Sequence, residues 1–448
     1  MIHPGGEMKR FKLEQSEQEI YTATSGLALA GACLDRYVNL DKELKKAQPL
    51  RHGISHADIA RSYLGLLLQG KSDFEAIAQF RENRFFMEAL GIAHVPSIAR
   101  MRQRLDEGAE SWLSVIERCT VDFLVNAEAP VTCLVTGHVA LDIDVFPMDN
   151  SGTKKAGVSR TYKGHDGFAP IGAYLGEEGW CVGMEFREGK QHSQKGFIPF
   201  LTRVLPQARR LSASHRLLVR LDSGHDALET RVTLVNEDTD YILKWNPRTA
   251  DMTPWLAMAE EEECWIETRP GKFVSRFSVI EEQSYEGQSY QFRRVMQVTE
   301  RRIDRHGQGL LVPDVEVEGW WTSLDLVEED VIALYKAHGT SEQFHSEFKT
   351  DLDLERLPSG KFATNALVMG MAAFAYNILR WIGLLGLTGK DGPVRHPAKR
   401  RRLKTVIQEL IYLAARLVRS GRRLRLRFGL HCPAFDAFEQ VYERFVPG

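Results

Sequence analysis

The stretch HVALDIDVFP, residues 138–147, decides how the rest of the chain is read. Val139, Leu141, Ile143 and Val145 alternate with Ala140, Asp142 and Asp144, a period of two that predicts a β-strand with both aspartates on one face. A Gly/Ser/Lys-rich turn follows. APIGAYLG (169–176) and GWCVGMEFRE (179–188) then read as two further strands joined by a Gly-rich turn. Residues 194–210 suit a helix. RLLVRLD (216–222) is a strand ending on an acid, DSGHDALETRVTLV (222–235) opens a helix, and DYILKWN (240–246) is another strand. The predicted order is three antiparallel strands, then helix, strand, helix, strand.

Outward from this centre the texture changes. Residues 1–130 read as helical, with apolar positions at three- and four-residue spacing in IARSYLGLLLQG (59–70) and FEAIAQFRENRFFMEALG (74–91). Ser97 is placed to cap a helix carrying Arg100, Arg102 and Arg104. Residues 249–312 interrupt the central pattern with β-like runs such as KFVSRFSVI (272–280) and YQFRRVMQV (290–298), too structured for a loop. The pattern resumes over 313–389 with GWWTSLDL and a long helix beginning near Glu328, and residues 390–448 form a basic tail. These are the expected boundaries: 1–130, 131–248, 249–312, 313–389 and 390–448.

Composition fits a globular chain, with 448 residues, 43% hydrophobic and 26% charged. Net charge is −2, so any DNA-binding charge must be concentrated locally. Cys33, Cys119, Cys133, Cys181, Cys264 and Cys432 show neither CxxC nor zinc spacing and are expected to be reduced thiols. MIHPGGEMKRFKLEQ lacks the apolar stretch of a signal peptide, which points to the cytoplasm. The apolar run 366–388 contains Asn377 and Arg380, and a buried core helix explains it better than a membrane span. GKSDF (70–74) lacks the upstream glycine of a phosphate loop, and no GxSxG elbow exists, so neither nucleotide use nor serine hydrolysis is expected.

Three acids stand out: Asp144 in LDID (with Asp142 two residues before it an alternative), Asp222 at the end of LVRLD, and Glu342 on the later helix. On an uninterrupted helix Tyr335, His338, Glu342 and Lys349 project within a sector of about 60° at roughly 100° per residue. A phenol, an imidazole, a carboxylate and an ammonium in a row make a poor core stripe. They suit a phosphodiester site, where a carboxylate binds metal and the others hold phosphate oxygens.

The spacing Tyr335-x2-His338-x3-Glu342-x6-Lys349 resembles the Y-(2)-R-(3)-E-(6)-K signature of bacterial insertion-sequence DDE transposases, with His338 where arginine is usual. LDIDVF, FREGKQHSQKGF (186–197), LVRLDSGHDA (218–227), FATNALVMGMAAFAYNILRW (362–381) and GIAHVPSIARMRQRL (91–105) resemble further segments of the same family. The likeness runs from about 75 to 385, interrupted at the insertion. It implies an α/β fold: an RNase H-like mixed sheet with flanking helices, a β-rich insertion, and helical N- and C-terminal regions. It further implies that Asp144, Asp222 and Glu342 bind two Mg²⁺ ions (Mn²⁺ substituting) and that Tyr335, His338 and Lys349 touch DNA. The implied partners are the element's terminal inverted repeats and target DNA, engaged by a homodimer, with no membrane and no nucleotide. The implied reaction is cleavage at element ends and strand transfer; a nuclease that only cuts, or a non-catalytic DNA-binding descendant, are the alternatives.

RHPAKRRRLK (395–404), with Arg400, Arg401 and Arg402, and RSGRRLRLRF (419–428) contain no acid and are expected to meet phosphates rather than merely solvate a surface. Trp255, Trp265, Tyr285, Tyr290 and Phe292 in the insertion are candidate base-stacking groups, though such residues are more often core.

Overall fold

In the computed structural model, residues 11–50, 52–261, 265–304, 306–390, 392–394, 396–421 and 423–447 are described. Residues 1–10, Cys264, Arg395 and Arg422 of the sequence reading lie outside the described residues.

The alternation around 138–147 forms β1 (Val139–Val145), followed by β2 (Ile171–Leu175) and β3 (Trp180–Glu185). β1 pairs antiparallel with β2, and β2 with β3. Helices then alternate with strands: α1 (Ile98–Asn126) precedes the sheet, while α2 (Phe197–Leu211) leads into β4 (Leu217–Leu221) and α3 (Leu228–Asn236) into β5 (Asp240–Lys244). β4 lies parallel to both β1 and β5. The expected element order is therefore present, and β1 sits mid-sheet with its aspartates flanked on both sides.

The insertion does not form a separate layer. Its strands β6 (Ile266–Arg269), β7 (Lys272–Tyr285), β8 (Gln288–Ile303) and β9 (Gly309–Thr322) extend the same sheet, giving nine strands in the order β6-β7-β8-β9-β5-β4-β1-β2-β3. The 14-residue β9 starts among the insertion's residues and ends paired with β5, Trp320 opposite Lys244, which welds the two parts together. Two of the candidate stacking aromatics, Phe292 and Trp255, are committed to this junction. Phe292 is buried, and the Arg294 guanidinium lies over Trp245, Trp255 and Trp321 at 4.8, 4.3 and 4.5 Å.

After β9 come α4 (Glu328–Lys336), the short α5 (Ser341–Ser346) and α6 (Phe362–Leu387). α6 is the apolar run of the sequence reading, long and apolar enough to cross a membrane by composition, yet 94% of its most apolar window is buried inside the protein. It packs on α1 and β3. Its polar residues are used rather than tolerated. The Asn377 side chain accepts from the Cys181 amide at 2.9 Å and donates to the Cys181 carbonyl at 2.8 Å, closing the exposed edge of β3. The Arg380 guanidinium pairs with the buried Glu347 and donates to the Arg401 carbonyl at 2.8 Å. Ser97 caps α1 as expected, accepting from the Arg100 amide. Cys33, Cys119, Cys133, Cys181 and Cys432 are free thiols.

Candidate active site

Register creates the site. Ile143 on β1 stands opposite Leu221 on the parallel β4, so the next residues, Asp144 and Asp222, emerge side by side where both strands end. One step back, Asp142 stands opposite Arg220. By the two-residue period of a strand these four side chains share a face.

The two rungs differ in chemistry. Arg220 holds Asp142 bidentately, Nε to Oδ1 at 2.6 Å and Nη2 to Oδ2 at 2.8 Å, with both side chains buried. His338 Nδ1 lies 3.1 Å from the same Oδ1, and Arg220 Nη1 donates to the Leu334 carbonyl at 2.8 Å. Burial pushes the Asp142 carboxyl up, but Arg220 and His338 outweigh it and hold the group below the usual range. This acid is neutralised and locks α4 to the sheet.

Asp144 has no such cation. Its Oδ1 accepts from the Val145 amide at 2.7 Å, and the nearest imidazole, His345 Nδ1, is 3.8 Å from Oδ2. Burial and the charge of Asp222 push its carboxyl up to about 7. His345 is itself driven down to about 3 by burial and by the charges of His338, Lys349 and Lys163, so it stays neutral, stacked on Phe146 at 4.5 Å. Asp222 follows β4 directly and accepts from His225 Nδ1 at 2.7 Å and the Gly224 amide at 3.1 Å. Burial alone raises its carboxyl, but the His225 hydrogen bond and charge leave it below the usual range.

Tyr335 and His338 gather at this face. The Tyr335 phenol is pushed up by burial and then by the charges of Asp222 and Asp144, and its ring stacks on His338 at 6.0 Å between centroids. Burial lowers His338, but the charge of Asp142 prevails and raises it, favouring the imidazolium that stands where the family signature has arginine. Lys349 donates to the Pro147 carbonyl at 2.8 Å and lies 3.3 Å from Glu355, just past the end of β1.

Glu342 is not gathered in. It is exposed at the start of α5 and forms no hydrogen bond or ion pair with a described residue. Among the described residues no three His, Cys, Asp or Glu side chains converge on a metal position. The reason corrects the single-helix expectation. α4 stops at Lys336, a 3₁₀ turn spans Ala337–Thr340 around Gly339, and Glu347–Asp351 is a π-type turn. Each change of winding shifts the azimuth of every later side chain, so the regular angular steps fail.

The basic cluster Arg400–Arg402 is also largely occupied. Arg401 is buried, donating to the carbonyls of Leu387 at 2.9 Å and Val394 at 3.0 Å and to that of His396, which caps the region after α6 instead of facing phosphate. Arg402 pairs with Asp351 at 2.8 Å. Arg400 lies over the Phe344 ring at 4.1 Å and donates to Gln343 at 2.8 Å.

Several site residues were missed in the sequence. Arg220 had a signal: it is the one charge inside the apolar run LLVRL, two before Asp222. His225 bonds to Asp222 and not to the adjacent Asp226, which holds Arg231 at 2.6 Å. Tyr162, whose phenol burial and the charges of Asp144 and Asp222 push up to about 12, carried no signal.

Asp144 and Asp222 fit a divalent cation: two adjacent carboxylates, one pushed up by burial and then by the other's charge, are relieved by a dication between them.

A family profile described as Transposase DDE domain group 1 matches residues 33–447. Among solved structures, the piggyBac transposase synaptic complex with hairpin DNA is similar at 9% identity and a TM-score of 0.41, covering 88% of this chain and 82% of that one. No curated protein matches the chain.

Proposed function

Since the chain belongs to the transposase DDE domain group 1 family, we propose that it cuts the ends of an insertion sequence and joins them to target DNA with Asp144, Asp222 and Glu342 as its three acids. The observation that carries this is the side-by-side placement of Asp144 and Asp222 at the ends of parallel strands, with Asp144 raised to about 7 by burial and by the charge of Asp222. The sheet order β3-β2-β1-β4-β5, with β2 antiparallel to its neighbours, supports an RNase H-like core over 131–248 and 313–389. We assign 1–130 to DNA binding, 249–312 to the sheet extension and 390–448 to the tail.

The two acids would hold the first Mg²⁺, and Glu342 would complete a two-metal site once α5 turns toward the sheet. Bound metals of this kind activate the attacking oxygen and stabilise the leaving one in an in-line displacement. The chain's own groups orient the strand. His338, held by Asp142, offers an imidazolium N–H to a phosphate oxygen, and the Tyr335 hydroxyl, kept protonated, offers a second donor. His225 fixes the Asp222 carboxylate in place. Joining exchanges one phosphodiester for another, so no nucleotide is consumed.

The test is excision and joining from a donor plasmid carrying the element's ends. Wild type should produce joined product in Mg²⁺, while Asp144→Ala, Asp222→Ala and Glu342→Ala should yield neither cuts nor joints. Cutting without joining would reduce the proposal to a nuclease.

A further inference from the structure

We infer that the C-terminal β-ribbon is a phosphate-binding rail for duplex DNA, resting on the transposase reading above. The ribbon is the antiparallel pair Ala415–Ser420 and Arg423–Phe428, with Ile20–Thr22 on its inner side, so that Arg423–Phe428 is the outer strand. The sequence RLRLRF alternates with period two, and the structure separates its halves. Leu424, Leu426 and Phe428 turn one way, with Phe428 packed on Phe435 at 5.5 Å and Phe438 at 4.9 Å of the C-terminal helix Phe435–Phe445. Arg423, Arg425 and Arg427 therefore share the opposite face, and all three are exposed.

Three observations turn this face into a site for a polyanion. None of the three arginines forms an ion pair or side-chain hydrogen bond with a described residue, unlike Arg400, Arg401 and Arg402. Their cross-strand partners are Ser420, Val418 and Arg416, so no acid stands opposite them. Glu19, farther across the ribbon, is already taken by Arg416 at 2.6 Å and by Tyr21. Like charges packed on one strand face without compensation destabilise the free protein, and a phosphate backbone removes that cost. Alternate residues stand about 6.8 Å apart along a strand, commensurate with the ~3.4 Å axial charge spacing of one DNA strand. An outer strand also carries unpaired backbone N–H groups that suit phosphate oxygens. The apolar half anchors the rail to the body, so bound DNA is positioned rather than read by sequence.

The experiment compares the full chain with R423Q/R425Q/R427Q and R423K/R425K/R427K, reading binding of a duplex by fluorescence anisotropy across salt. Three lost contacts should flatten the slope of log affinity against log salt by roughly 2.7. Wild type should then lose roughly 40-fold more affinity than the Gln variant over a fourfold rise in salt. The Lys variant should keep the wild-type slope, and equal melting temperatures should exclude misfolding. An unchanged slope in the Gln variant, with wild type binding normally, overturns the rail and leaves the transposase reading intact. A Lys variant that behaves like the Gln variant overturns the electrostatic account. Failure of wild type to bind any duplex, including the element's ends, overturns the underlying reading.

Discussion

Two carboxylates on one strand face, Asp142 and Asp144, are separated by a single rung of the sheet and have opposite fates. Asp142 meets Arg220 across the rung, is buried, and is shifted down; Asp144 meets Asp222 across the next rung and is shifted up to about 7. The same side chain becomes a structural lock or a ligand-seeking group according to what the neighbouring parallel strand places opposite it. The sheet register thus pairs one acid with a cation and sets the next beside a second carboxylate.

The largest expected effect comes from the open rung. Asp144→Ala and Asp222→Ala should lower cleavage by roughly 10³-fold or more, the scale of losing one member of a concerted catalytic unit. Asp144→Ala should leave the melting temperature equal to or above that of wild type, whereas Asp222→Ala, which strips the buried His225 of its partner, should lower it. A donor-plasmid assay with thermal melts checks both halves. Glu342→Ala should match them in activity, and its exposure predicts no change in stability; a folded, fully active variant would remove Glu342 from the site.

The closed rung predicts the reverse order of damage. Asp142→Ala strands the buried Arg220 and should cost about 3–5 kcal/mol, visible as a shift in the urea midpoint. An Asp142→Ala protein as stable as wild type but without cleavage would erase the distinction between the rungs. Somewhat smaller is Arg401→Gln, which leaves the Leu387, Val394 and His396 carbonyls without their donor, the first of them buried, and should cost about 1–3 kcal/mol without altering the salt dependence of DNA binding.

The smallest effect is in pH. With metal removed, the folded-state value of Asp144, about 7, exceeds the unfolded value near 3.9. The folded state then binds that proton more tightly, so the contribution of Asp144 to stability is greatest below about pH 4 and declines as pH rises toward 7. Asp142, shifted down, contributes the opposite way, its stabilisation present above the unfolded value and lost in acid. Melting temperatures of wild type and Asp144→Asn between pH 4.5 and 8 should diverge as pH rises, the variant melting higher. Parallel curves would mean that Asp144 is not held near neutrality.

Much of this was legible in the sequence where the signal is local. The alternation in HVALDIDVFP, the acid closing RLLVRLD and the cap at Ser97 each depend on residues close in the chain, and each is present in the structure. The illegible part depends on distant partners. Asp142 is decided by Arg220, 78 positions away, and Arg401 by carbonyls in the turn after α6. The row Tyr335 to Lys349 failed as one helix face because angular counting assumes unbroken winding, and the chain changes its winding at Ala337 and again at Glu347. The insertion's β-character was readable, but its fusion to the main sheet through β9 rests on pairing with β5, which no local pattern announces.

The most direct test of the central claim is calorimetric titration of Mn²⁺ into the metal-free chain at pH 7.5, for wild type, Asp144→Ala, Asp222→Ala and Asp142→Asn. The account predicts saturable binding with proton release in wild type, since Asp144 must shed its proton to bind. It predicts loss of that binding in both Ala variants, and its retention in whatever fraction of Asp142→Asn remains folded. Equal Mn²⁺ binding in wild type and Asp144→Ala would contradict it.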